Sequence, residues 1–344
     1  MKARQFGAVA TAVLALVMAG VAWADEPVGE TSVGTKLFLD VSHLDHDLPG
    51  AGADASGSSA DLKRFFIDVD HRFSKVWSAH LTTDINWLRD QDPTDLWVRH
   101  AYVQGSFSKA LTLRLGAAPM PWQALVNKWY GYRYVETDLT MRAKVGNVAD
   151  WGVHALGTLG AGGRVGYAAS VVTGAGYKKP RLGNGPDVSA RLSFRPTAHT
   201  VLGLGGYRGT LGQDTGGHEA RHTAQRWSLM AAYADRFWRV GAQYFRASDW
   251  SRVPSPQGDR SHGWSAWISR QLTPMVSLFA RHDHVEPSGW LDPERRDRYS
   301  NAGVEWRART WLRVAAVWKR TRLTDDGEEL GTDNEAGLWA QVTF

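Results

Sequence analysis

The chain has 344 residues, a formal net charge of +5, no cysteine, 17 Trp, 10 Tyr and 36 Gly. Without cysteine it can have no disulfide, thiolate metal site or cysteine nucleophile. No apolar run after residue 24 is long enough for a spanning helix, and aromatics this dense in a polar, glycine-rich chain suit rings placed at two membrane interfaces.

In chain order, Lys2 and Arg4 come first, then the apolar stretch Phe6 to Val21, then the small-x-small site Ala22-Trp23-Ala24 and the polar Asp25-Glu26-Pro27. This is the pattern of a cleaved secretory signal peptide over 1–24. An uncleaved anchor is the alternative, and the short apolar run speaks against it. Residues 25–344 are then one domain, with no linker and no second core.

Period-two alternation recurs through that domain, and no convincing helical stripe exceeds a few turns. It predicts about sixteen strands, near 33–43, 62–73, 76–87, 95–107, 110–118, 149–159, 163–173, 186–195, 199–208, 223–235, 237–247, 261–272, 275–285, 297–308, 310–322 and 333–344. Connections alternate in length. Short ones fall near Ser74-Lys75, Ser108-Lys109, 160–162, 196–198, Asp235-Arg236, Thr273-Pro274 and Ala308-Arg309. Long ones span roughly 44–61, 88–94, 119–148, 174–185, 209–222, 248–260, 286–296 and 323–332. Short turns on one rim and long loops on the other describe an outer-membrane β-barrel, and an even strand count puts both ends of the domain on the short-turn side. The fold class is therefore all-β, a transmembrane antiparallel barrel.

Several strands sort cleanly by face. Trp77, Ala79, Leu81, Thr83, Ile85 and Trp87 alternate with Ser78, His80, Thr82, Asp84 and Asn86. Strand 95–107 resists, because Arg99 spoils one register and Tyr102 the other; a bulge there resolves the conflict. Facing Arg or Lys to the lipid midplane costs about 2–4 kcal/mol, so the charges on these strands must face a wet interior. This register turns Lys36, Arg64, Arg72, Arg114, Arg191, Arg208, Arg226, Arg281, Arg313 and Lys319 inward, with Asp40, Asp68, Asp70, Asp84, Asp150, Asp283, Glu305 and Glu335 as counter-charges. The acids and about half the arginines brace the wall as ion pairs, Asp68 and Asp70 with Arg64 and Arg72. The surplus arginines give the lumen a mild anion preference, because guanidinium stays charged and matches phosphate or carboxylate.

The third connection, Pro119 to Val148, has the length to reach mid-barrel and return. Folded inward, its Lys128, Arg133, Arg142 and Lys144 face the wall arginines, with Glu136 and Asp138 as local counter-charge. Its aromatics, Trp122 and the run Trp129 to Tyr134, either pack it onto the wall or form a greasy slide for a sugar-like solute. A loop lying across the external mouth is the alternative.

The terminal Trp339-Ala-Gln-Val-Thr-Phe344, the long third loop and the alternating turns resemble the 16-stranded Gram-negative outer-membrane porins over residues 25–344. Leu111-Thr-Leu-Arg-Leu-Gly116, followed by Pro119 and Pro121 and then Asp150-Trp-Gly-Val153, is similar to the phosphate-selective porin group. The resemblance implies a passive, non-enzymatic channel, a homotrimer, and Phe344 at the periplasmic rim where assembly machinery reads it. The second loop, about 88–94, is short for an inter-subunit latch, and no dense arginine run maps onto a phosphate ladder.

Two rival classes exist, a barrel sheathing a periplasmic partner and an outer-membrane hydrolase acting through His80 and His154. No Gly-x-Ser-x-Gly elbow or phosphate-cradling loop supports catalysis. His43, Asp45, His46 and Asp47 cluster in one loop, and His282, Asp283, His284 and Glu286 near another; both read as solvated polarity rather than metal sites. The sequence thus predicts an outer-membrane channel for small hydrophilic solutes, in contact with lipid and lipopolysaccharide, with no cofactor, metal or nucleic-acid partner. Glu335 and Gln341 line its lumen, with Trp339 packed against a wall neighbour.

Overall fold

The alternation becomes one closed antiparallel ring in the computed structural model, which describes residues 29–49, 56–88, 96–178, 180–181, 183, 185–213, 222–250 and 256–344. The leader expected over 1–24 lies outside the described residues, as does most of the second loop. The strands run in order: β1 Glu30–His46, β2 Gly57–Arg72, β3 Trp77–Trp87, β4 Leu96–Ser108, β5 Leu111–Pro119, β6 Ala149–Leu159, β7 Val165–Val172 and β8 Asp187–Phe194. The second half is β9 Thr200–Gly209, β10 Ala224–Ala234, β11 Trp238–Ser248, β12 Arg260–Gln271, β13 Val276–Glu286, β14 Arg296–Arg307, β15 Leu312–Asp325 and β16 Glu328–Thr343. Each pairs with its sequence neighbours, and β1 closes on β16 with Lys36 opposite Thr343 and Asp40 opposite Trp339. In the third connection lie two helices, α1 Pro121–Tyr130 and α2 Leu139–Arg142.

Burial alternates along the strands as the sequence requires. On β10, Ala224, Arg226, Ser228, Met230 and Ala232 are buried, while Gln225, Trp227, Leu229, Ala231 and Tyr233 are exposed. Leu192, Leu204, Leu278, Trp306, Trp318 and Leu338 are exposed in the same way. In water such an outer surface would aggregate; lipid is its solvent. Trp339 turns inward and is fully buried, with the Lys319 ammonium 4.3 Å from its ring.

The structure corrects the sequence reading in three places. The connection expected over 323–332 is a two-residue turn, Asp326-Gly327, because β15 and β16 run on past the expected rim. Both residues have positive φ, 47° and 79°, the geometry of a tight hairpin for which Asp-Gly is the favoured pair. Arg208 faces outward, not into the lumen. Tyr207 and Gly209 take the inner positions of β9, and Arg208 pairs laterally with outward Val188 and Gln225. Finally, Arg64 pairs with Asp84, leaving Asp68 and Asp70 to His80. The break near Arg99 is real: pairing slips between Thr82 and Thr83, opposite His100 and Val98. Arg99 occupies the extra position and is buried.

Leu338→Arg, on the lipid face between Val41 and Ala316, should destabilise the ring by about 2–4 kcal/mol. The folded, fast-migrating band on unheated gels should be lost at a lower temperature than in the parent, and an unchanged melting point would contradict the assigned face.

Candidate functional site

The lumen is built by the charged inner positions and by the third connection, whose side chains meet them. Pro121 suits the first turn of α1, since it lacks only an N–H that has no partner there. Gly131 ends the helix with φ 83°, a left-handed conformation that glycine adopts without strain. A Cβ there would stand 2.9 Å from the Arg239 Nε. The apolar side of α1 carries Trp122, Leu125, Val126 and Trp129, all buried. It rests on β7 to β11. Two inner glycines of β9 make the seat: a Cβ on Gly205 would lie 2.6 Å from the Trp122 ring, and one on Gly203 2.7 Å from Leu125.

After Gly131 the chain runs along β12 to β15 and back towards β1. Tyr132 stacks on Phe279 at 4.3 Å, Tyr130 meets Trp267 edge-on, and Tyr134 contacts Phe38. These rings are buried, so of the two uses open to them they pack the segment onto the wall and present no slide.

Ion pairs lock the same contact. Asp283 accepts from Arg281 at 2.8 and 2.7 Å and from Arg142 at 2.8 Å. Arg142 also reaches Asp297 at 3.0 Å, and Arg281 donates to the Thr137 carbonyl. Glu305 accepts from Arg307 at 2.9 Å, Arg313 at 2.8 Å and the Tyr134 hydroxyl at 2.9 Å. Arg313 also lies 3.3 Å from the Gly131 carbonyl. Arg226 donates to the Val145 carbonyl, with its guanidinium 5.2 Å from the Trp250 ring. Glu136 sits 3.7 Å from Lys319, and Asp138 caps α2 by accepting from the Thr140 amide at 3.0 Å. Burial opposes the charge on Arg142, but Asp297 and Asp283 outweigh it and hold its guanidinium above the ordinary range. Arg142, Arg226, Arg281 and Arg313 are thus fasteners, occupied by the wall or the loop.

A different set remains available to solute. Arg114 donates to Gln104 at 2.7 Å and lies over the Tyr102 ring at 4.8 Å. Arg133, Arg191 and Lys36 have no carboxylate partner among the described residues, and Lys128 and Lys144 are exposed on the third connection. Burial, then the guanidiniums of Arg99 and Arg64, push Arg133 down to about 9, which leaves it charged at neutral pH. Asp84, fully buried, accepts from Arg64 at 2.9 Å and from the Tyr177 hydroxyl at 2.6 Å. Asp68 and Asp70 stay accessible beside His80.

Of these groups, Lys36, Arg133 and Asp68 converge on a cavity of about 280 Å³ between the third connection and the wall of β1 to β4. Lys36, Arg99, Arg133, Asp68, His100 and Asn127 are among its lining residues. Sequence reading assigned no role to Arg99 or His100, although the register conflict at Arg99 was a visible sign. It missed Asn127 because nothing local marks which side of α1 stays open. No group of three or more His, Asp or Glu arranged to hold a metal occurs among the described residues. His154 lies 2.8 Å from Ser170, but both are buried and, among the described residues, no carboxylate pairs with the imidazole.

An apolar outer wall around a charged, partly filled lumen defines a membrane barrel with a narrowed bore. The sequence matches no protein-family model and no curated protein. The fold is similar to that of the anion-selective porin from Comamonas acidovorans, with a TM-score of 0.69 at 8% identity over 92% of this chain and 100% of that one. It is also similar to the outer-membrane channel DcaP of Acinetobacter baumannii, at 0.63 and 10% over 92% and 97%. A trimer form of OmpT, an outer membrane protein of Vibrio cholerae, matches at 0.58 and 14% over 92% and 99%. The chain has the closed 16-stranded fold of the Gram-negative outer-membrane porins.

Gly205→Leu should lift α1 off β9. Protease cleavage within 121–148 is expected to accelerate at least about tenfold while the ring keeps its folded gel mobility, since overpacking by a side chain costs about 1–3 kcal/mol locally. Equal cleavage rates in parent and variant would show that the glycine seat does not hold the segment.

Proposed function

We propose that the protein is a passive outer-membrane channel for small hydrophilic solutes, with a mild preference for anions such as phosphate or carboxylates. The observation that carries this reading is the cavity between the third connection and β1 to β4. Lys36, Arg99 and Arg133 there outnumber Asp68, and among the described residues neither Lys36 nor Arg133 has an ion-pair partner. A solute crossing this gap exchanges part of its water for fixed charges of mostly one sign, which lowers the barrier for anions relative to cations. Arg114 and Arg191, on the wall towards the short-turn rim, extend the same field. The anion-selective neighbour supports the preference at the level of fold alone.

Under this reading residues 1–24 direct export and are removed, the ring sits in the outer membrane, and no catalytic step is involved. For the hydrolase alternative, His154 beside Ser170 has no carboxylate within ion-pair distance among the described residues, and His80 is held on the wall between Asp70 and Thr82. The third connection, packed against the inner wall, argues against a sheathed partner. The neighbour described as a trimer form favours a homotrimer.

Purified protein in planar bilayers under a KCl gradient should give stepwise conductance and a reversal potential of anion-selective sign. Lys36→Glu combined with Arg133→Glu should move that potential towards cations, by a selectivity ratio of about tenfold, the effect of roughly 1.4 kcal/mol. Absence of discrete steps would refute the channel. Steps with cation selectivity in the parent would refute only the preference.

A further inference from the structure

We propose that the outer wall of β9 to β15 carries a seat for the phosphorylated headgroups of external-leaflet lipid. The starting observation is the outward Arg208, which the lumen does not use. It has three counterparts on the same outer face: Arg246 on β11, Arg298 on β14 and Arg320 on β15. All four are exposed, all lie towards the long-loop ends of their strands, and none has a carboxylate within ion-pair distance among the described residues.

Their register shows that they share one height. Tyr233, beside a short turn, is continuous through Val240, Ile268, Ala280 and Ala302 with Trp318. Hydrogen-bonded rows therefore climb towards the long-loop rim as strand number rises, as strand tilt demands. The arginines step down against that climb. Arg208 shares its row with Gln225, Ser248 and Arg260. Arg246 lies one outward row lower, level with His262, and Arg298 one lower still, in line with His284 and Trp264. Arg320 lies one row below that, level with His282. The descent offsets the tilt and sets the four cations on a band around one side of the barrel.

The band's neighbours specify the occupant. On the membrane side it is underlain by Tyr244, Trp264 and Trp318, all exposed, so the cations stand at the water edge of an aromatic girdle. Two carboxylates adjoin the band and both are already engaged: Glu286 is shared by Arg296, His262 and His284, and Glu329 pairs with Arg322, which lies opposite Arg298. A free anion would need no apolar wall beneath its site, whereas an amphiphile with an anionic head and acyl tails uses both halves. Guanidinium forks match phosphate oxygens in pairs, and the long-loop end is the external one.

The test uses the purified full-length protein in detergent, with lipid A bearing both phosphates as probe and lipid A stripped of phosphate as control, read by native mass spectrometry. The variant Arg208→Gln, Arg246→Gln, Arg298→Gln and Arg320→Gln should lose at least about tenfold in binding to phosphorylated lipid A, since each cation near an anionic surface contributes about 1 kcal/mol. Its weak binding of the stripped lipid should not change. Arg236→Gln with Arg270→Gln, at the short-turn end, should bind like the parent, and inorganic phosphate at millimolar concentration should not displace the lipid. Folded gel mobility certifies the ring; should the fourfold variant fail to fold, the pairs Arg208→Gln with Arg246→Gln and Arg298→Gln with Arg320→Gln are read instead. Undiminished binding by the variant overturns the proposal. So does equal loss in the short-turn control, which would mean unspecific attraction. A change of oligomeric size in the variant would show the band to be a contact between protein chains and would also overturn it.

Discussion

Lipid offers no hydrogen-bond partner, so every backbone amide that crosses it must be met by another strand. Closure of β1 on β16 satisfies the last two edges, and everything else follows from the ring it completes. A closed ring has an inside and an outside, and alternation of side chains assigns every residue to one or the other. The outside must be apolar. The inside of so wide a ring cannot be filled by its own side chains, so it is left to water, to charge and to whatever the chain folds back into it.

The inner wall solves the resulting electrostatic problem with a repeated device. Asp84, Asp283 and Glu305 are each fully buried, and each gathers two arginines. A buried carboxylate with one partner would barely recover its lost hydration, whereas two guanidiniums and a further donor satisfy more of its lone pairs. Tyrosine supplies that donor at Asp84 and Glu305. In two of the three clusters a member comes from the third connection: Arg142 at Asp283 and Tyr134 at Glu305. The segment is thereby part of the wall's own charge balance.

The ring was legible because its signal is local and redundant: period two repeats strand after strand, and charges on the inner face reinforce it. Even the bulge at Arg99 announced itself as a conflict of registers. Arg208 was misassigned because Tyr207 beside it, an aromatic, is as plausible facing lipid as facing the lumen, so polarity alone set the wrong phase. The Asp326-Gly327 turn was overlooked because the flanking residues are polar, although the dipeptide itself is a hairpin signal. Ion-pair partners were beyond reach. Arg142 meets Asp283 and Asp297 across 141 and 155 residues of sequence, and no local pattern encodes which acid lies opposite once the ring has closed. The aromatic run from Trp129 to Tyr134 advertised contact but not its direction.

Because α1 leans on β7 to β11, the proposed solute path lies beside it, through the cavity between Arg133 and the wall of β1 to β4. In the proposed channel, electrical resistance concentrates where the bore is smallest, so a transmembrane voltage falls most steeply across that gap. A charge on Lys36 or Arg133 therefore acts where the field is steepest, while the same charge near either mouth would be felt only as a weak bias on approaching ions.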